Sequence, residues 1–162
     1  MQTAVTDPAN VTSSSSMEVS RRNRILLGLV ATLSLVGVIV SAISLQRHYA
    51  KSATEFCDFS QELNCDIVNR SEYSSIMGIP VAGVGVAGYA ALFVLSTLRK
   101  SRDETPNWLL GAAIAGLVFA LYLTYIEAYV LTTWCILCVI SLALISLISI
   151  LALIVRVRIS SS

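Results

Sequence analysis

The chain has 162 residues, of which 56% are hydrophobic and only 13% charged, and its mean hydropathy is +0.77. That excludes an ordinary water-soluble domain and points to an integral membrane protein of one domain. The formal net charge of +1 offers no basic excess to neutralise phosphates, so no nucleic-acid partner is expected.

Residues 1–21, with S-S-S-S and scattered threonines, read as a disordered cytoplasmic N-terminal tail. A spanning helix needs roughly 20 mostly apolar residues, and four windows qualify, at about 25–45, 79–98, 108–131 and 135–155. The first follows a polar leader and is longer than a signal-peptide core, so it reads as an anchor that is retained. The expected fold is therefore an all-α membrane protein, a four-helix bundle over 22–158 with an outer loop carrying a cysteine pair, followed by a short tail at 159–162.

Basic residues set the orientation. Arg21, Arg22, Arg24, Arg99, Lys100, Arg102, Arg156 and Arg158 flank one side of the four spans, against Arg47, Lys51 and Arg70 on the other. The positive-inside tendency then puts both termini in the cytoplasm and the 46–78 loop and 132–134 turn outside. In a bacterial inner membrane that outer face is the oxidising periplasm, where disulfides persist. All four cysteines collect there: Cys57 and Cys65 in the loop, Cys135 and Cys138 at the start of the fourth span.

Positions i and i+3 share a helical face, so Cys135 and Cys138 can bridge, with Cys138 about 4.5 Å deeper along the axis. The positive end of the helix dipole favours a thiolate at Cys135, which reads as the exposed, exchangeable sulfur. Cys138 falls at the depth where a lipid-soluble acceptor arrives. Three plainer readings compete: small core hydrophobes, a zinc site, which the C-x7-C spacing and the half-immersed second pair disfavour, and two disulfides that only staple the loop to the bundle.

Several other features are better explained structurally. G-V-G-V-A-G at 83–88 matches a dinucleotide fingerprint, but within a membrane helix it is better explained by close helix packing. Gly78 and Pro80 mark the start of the second span. His48 has no partners at metal-ligand spacing, and no metal site is expected. N-V-T at 10–12 and N-R-S at 69–71 match the glycosylation pattern without a eukaryotic context. The loop acids Glu55, Asp58, Glu62, Asp66 and Glu72 serve solvation, with steering of a basic partner as the alternative. Tyr122, Tyr125 and Tyr129 share one face of the third span and read as packing or interfacial aromatics, with the lining of a lipid-soluble acceptor's site as the competing reading. Glu127, near the outer end of that span, reaches headgroups or water cheaply, yet an ionisable residue at that depth also suggests a proton route.

The C-x7-C loop after the first span, N-R-S-E-Y-S-S-I-M-G-I-P before the second, and Y-L-T-Y-I-E-A-Y-V-L-T-T-W-C-I-L-C opening the fourth resemble the vitamin K epoxide reductase (VKOR) family, in particular its bacterial members, over about residues 22–156. The order of the two cysteine pairs is the reverse of that in the four-span DsbB-type oxidases. The resemblance implies a four-helix bundle around a quinone pocket (ubiquinone or menaquinone as acceptor). It further implies that a DsbA-like, thioredoxin-like thiol protein reduces the loop pair at Cys57, that Cys65 passes electrons to Cys135, and that Cys138 reduces the quinone. Only about seven residues follow the fourth span, so the thiol partner is expected to be a separate protein rather than a fused thioredoxin domain.

By the same resemblance Ser71 assists transfer between the pairs, with a turn or cap role as the plainer reading. Ser74 replaces an asparagine that holds a quinone carbonyl in vertebrate relatives, and Leu142 replaces a tyrosine that holds the other. Met77 and Tyr125 complete the quinone-site expectation. The function so implied is a membrane thiol oxidase supporting disulfide formation. A vitamin K quinone or epoxide reductase of the same fold, and a non-enzymatic protein with structural disulfides, are the alternatives.

Overall fold

The computed structural model describes residues 8–49, 58–60, 63–65, 68, 71, 74–76, 78–98 and 105–160. Four helices dominate it: α1 (Pro8–Tyr49), α2 (Val81–Thr97), α3 (Thr105–Ile126) and α4 (Ile136–Ser160). Helix α1 starts on a proline, which lacks the N–H that a first helical residue leaves unpaired anyway. Its backbone is helical through residues 8–21, where composition suggests an unstructured tail. Once the apolar part of α1 is nucleated, adding polar residues to its end is a propagation step and needs no packing of its own.

Three of the helices are long and apolar enough to cross a membrane: Arg21–Tyr49, Asn107–Leu131 and Ile136–Arg158. The second apolar window is shorter than its hydropathy suggests. Its first residues, Ile79 and Pro80, form strand β4, which pairs antiparallel with β3 (Ser75–Ile76). Gly78, at φ +83°, makes the turn between them, a conformation that glycine adopts without steric cost. Pro80 then leads into α2 in an extended conformation, leaving 17 residues of helix, about 25 Å at the usual rise. A second small hairpin, β1 (Asp58–Ser60) with β2 (Leu63–Asn64), precedes Cys65 directly in the chain.

Helix α1 packs along α2 and α4, and α3 along α4. Val30, Tyr89, Leu92, Leu109, Ala113, Ile145 and Ile148 form the centre, with contributions from all four helices. Large apolar side chains such as Ile39, Val118, Leu147 and Val157 face outward along the helices. In water such a surface would be a large exposed apolar patch; against lipid tails it is matched. Lipid removes the hydrophobic drive for helices to associate, so close contact between small residues matters more. A Cβ on Gly37 would collide with the Tyr89 ring, and one on Gly85 would lie 2.9 Å from the Ser41 hydroxyl. Gly85 of the G-V-G-V-A-G run thus lets α2 approach α1, whereas Gly88 faces open space. Between α3 and α4, the Ser149 hydroxyl donates to the Ala113 and Ile145 carbonyls.

The final turn of α3 widens into a π-helical segment, Glu127–Leu131. Thr132 closes it in the left-handed region (φ 49°, ψ 28°), and the Thr133 N–H donates back to the Glu127 carbonyl. Such one-turn π segments add a residue to the helix and re-aim the side chains around it. The chain then turns directly into Cys135 and α4.

Candidate functional site

Antiparallel connectivity brings the end of α1, the start of α2, the end of α3 and the start of α4 to one end of the bundle. The loop cysteine Cys65 is buried there beside Cys135. Cys135 is hydrogen-bonded by its thiol to Cys65 on one side and to Cys138 on the other. Three cysteine sulfurs therefore stand in a contiguous row, from the loop to the first turn of α4. Cys57 and Met77 lie outside the described residues.

Burial within this row differs from the sequence expectation. Cys135, expected as the exposed sulfur at the helix start, is 0% exposed, while Cys138 is half-buried. The loop covers Cys135 by placing Cys65 and Val68 over it. The Cys135 thiol, one residue before α4, is pushed up to about 12, first by its hydrogen bond to Cys138 and then by burial, against a lowering contact from Cys65. The helix-dipole argument for a stable Cys135 thiolate is thus outweighed: the hydrogen bond to Cys138, and after it removal from water, disfavour the charge more than the start of one helix favours it.

Beyond Cys138 opens a cavity of about 390 Å³, within the range of small-molecule pockets. Its walls are mostly small or apolar, with Gly85 and Gly88 of α2, Gly116 and Phe119 of α3 and Ile145 of α4. Its polar groups are Ser71 and Ser74 of the loop, Ser41, Ser44 and His48 of α1, Tyr89, Glu127 and Ser141. A flat apolar ring with a few polar edges suits such walls.

Ser71 and Ser74 both line this space, but each hydroxyl donates to a backbone carbonyl, Ser71 to Val68 at 2.9 Å and Ser74 to Ser71 at 2.7 Å. Their hydrogens are thus committed to successive turns, which is the plainer sequence reading of Ser71, while their lone pairs are still able to accept. Tyr125 does not line the cavity. The face of α3 that does carries Gly116, Phe119, Ala120, Leu123 and Glu127 at helical spacing, so Tyr122, Tyr125 and Tyr129 point outward at 53%, 58% and 74% exposure. The last two rings lie 4.9 Å apart on that outer face, as interfacial aromatics do. Leu142 is half-buried beside the cavity and not on its wall. The lining face of α4 runs through Cys138, Ser141 and Ile145 instead.

Two residues emerge that sequence reasoning missed or placed differently. The Tyr89 hydroxyl donates to the Ser141 carbonyl at 2.8 Å and lies 2.9 Å from the Ser141 hydroxyl, tying α2 to α4 across the cavity wall. A tyrosine in a glycine-rich span, and a serine i+3 from Cys138, were the available signals. Glu127, expected to reach headgroups or water, is only 2% exposed. Its Oε2 accepts from the Cys135 N–H at 3.4 Å, and its carboxylate is hydrogen-bonded by the Cys138 side chain. One carboxylate oxygen and the Cys135 and Cys138 sulfurs all lie within 4.8 Å of one another. The π-helical turn that begins at Glu127 points it inward.

Residues 28–153 match the family described as the vitamin K epoxide reductase family, which spans the bundle and every described cysteine, and the chain belongs to that family of membrane oxidoreductases.

Proposed function

We propose that this member of the family is a thiol:quinone oxidoreductase, which takes electrons from a DsbA-like, thioredoxin-like protein and delivers them to a membrane quinone, so that disulfides form in the partner and its clients. The observation that carries this reading is the row of three cysteines, Cys65, Cys135 and Cys138, ending at an apolar cavity. Structural disulfides would need no cavity at the inner end of such a row.

In the proposed cycle the partner's dithiol attacks the Cys57–Cys65 disulfide through Cys57, and leaves oxidised. The freed Cys65 sulfur attacks Cys135 of a Cys135–Cys138 disulfide, expelling Cys138 as thiolate. Cys57 then attacks Cys65, restoring the loop disulfide and releasing Cys135. Each step exchanges one S–S bond for another, through a mixed disulfide. A quinone, when bound, supplies the acceptor for the two electrons and two protons that leave as Cys135 and Cys138 re-form their disulfide. Cys138, on the cavity wall, is the sulfur placed to meet it. Ser71 and Ser74 contribute acceptor lone pairs along the same wall. Hairpin β1–β2 pairs Asp58 with Asn64, the residues immediately inside Cys57 and Cys65 in sequence, and so closes the interval between the loop cysteines.

The charge pattern completes the reading. By sequence, eight basic residues flank the ends of the spans away from the cysteines and three lie in the 46–78 loop, a pattern that supports a site on the periplasmic side of a bacterial inner membrane. The test is direct: the protein in detergent is mixed with a reduced DsbA-like protein and a ubiquinone or menaquinone analogue, and quinone absorbance is followed together with loss of partner thiols. One quinone consumed per partner disulfide formed, with turnover lost in Cys138→Ser, is the expected result. Absence of turnover with both quinone classes, with the cysteines locked in unreactive disulfides, would return the chain to the structural reading.

A further inference from the structure

Glu127 stands apart in a site otherwise built of thiols, hydroxyls and apolar walls. It is 2% exposed, it borders the cavity, and one of its carboxylate oxygens, Oε1, is buried with no hydrogen-bond partner among the described residues. The other, Oε2, receives the Cys135 N–H, and the carboxylate is hydrogen-bonded by the Cys138 side chain. A carboxylate placed merely to cap α4 would satisfy its remaining lone pairs or leave them in water, since an unpaired buried charge is costly.

We propose that Glu127 is the catalytic proton carrier of the inner cysteine pair, taking the thiol proton of Cys138 and delivering it to the acceptor in the cavity. This rests on the thiol:quinone reading above. When the Cys135–Cys138 disulfide forms, two S–H bonds break, one S–S bond forms, and two electrons and two protons leave together. A quinone of any side-chain length takes up both, one proton on each ring oxygen. Glu127 accepts the first proton at the Cys138 sulfur and passes it on. It is then free to accept the second from Cys135, whose sulfur falls within the same 4.8 Å cluster. Three neighbouring hydroxyls of the wall are less well placed: the Tyr89 hydroxyl is engaged by Ser141, and Ser71 and Ser74 donate to backbone carbonyls.

Glu127→Gln separates this role from capping, because the glutamine side-chain oxygen can still accept the Cys135 N–H but cannot carry a proton between sulfur and acceptor. In the full-length protein, pre-reduced and mixed with a quinone analogue, the variant is expected to reduce the quinone at least about a hundredfold more slowly, the usual scale of a lost general acid or base. Its formation of a mixed disulfide with the reduced partner is expected to stay at the wild-type rate. Glu127→Asp, which keeps the carboxyl, is expected to recover part of the loss. A second readout needs no quinone: the infrared difference spectrum between the dithiol and disulfide forms is expected to contain a carboxyl protonation signal that Glu127→Gln removes. A wild-type rate in Glu127→Gln, with Cys138→Ser inactive, would overturn the proposal and leave the functional reading intact. If the wild-type protein reduces no quinone, the functional reading falls, and the infrared signal alone decides: its presence upholds Glu127 as proton carrier of the pair, and its absence overturns it. Should the glutamine variant fail to fold, the aspartate variant decides, by a shifted carboxyl band or an unchanged one.

Discussion

Cys135 shows how far a residue's surroundings can depart from its position in the chain. At a helix start its thiolate looks favoured, yet the sulfur is hydrogen-bonded to Cys138 and fully buried under the loop, and its pKa is pushed up to about 12 from 9.0. At pH 8 that leaves about a thousandfold less thiolate than an ordinary thiol would carry. In the reduced protein Cys135 is therefore expected to resist iodoacetamide at pH 8, and to react only as the pH approaches its raised value; mass spectrometry of alkylated peptides across pH measures this. Reaction at pH 8 at the rate of a free thiol would contradict the described burial. In the proposed relay this suits a sulfur that is attacked while in a disulfide and is not required to act as the first nucleophile toward a soluble partner.

At the scale of elements, two local devices shape the site. The first is the close approach of α1 and α2, which exists because Gly37 leaves room for the Tyr89 ring. Gly37→Ala is expected to destabilise the bundle by about 1–3 kcal/mol through overpacking and to loosen the Tyr89 contact with Ser141, as thermal unfolding in detergent would measure. The second is the π-helical turn after α3, closed by Thr132 in a left-handed conformation. A β-branched residue is strained there by roughly 1–2 kcal/mol. Thr132→Gly is thus expected to leave stability unchanged or raise it by up to about 1 kcal/mol, the relief of strain being offset by the greater chain entropy that glycine adds to the unfolded state. Hydropathy marked all four helices but not their limits. Ile79 and Pro80 are apolar enough to be counted in a span, yet they pair with Ile76 and Ser75 in a hairpin, and hydropathy cannot see strand pairing.

For the whole molecule, the antiparallel bundle places Cys65, Cys135 and Cys138 at one end and Arg21, Arg22, Arg24, Arg156 and Arg158 toward the other. Reporter fusions are expected to find both termini in the cytoplasm and the 46–78 loop outside; a periplasmic terminus would reverse the assignment of the cysteine end to the oxidising side. The cavity belongs to this scale as well, since its walls come from four helices and the loop that carries Val68, Ser71 and Ser74. No single element contains it, and a change in any helix packing alters it.

The sequence by itself determined the membrane class, the four apolar segments, the order and spacing of the cysteine pairs and, through them, the family. These are properties of composition and of linear distance, and neither depends on how the helices turn. Tertiary structure alone decided which face of each helix looks inward. Tyr125 and Glu127 are two residues apart, a separation that puts them on different sides of a helix; Tyr125 faces outward, while Glu127 meets Cys135 and Cys138. Hydropathy cannot set that rotation in a chain apolar on all sides. It follows from where small residues let helices touch, from the wide turn after α3, and from a loop that lays Cys65 over Cys135.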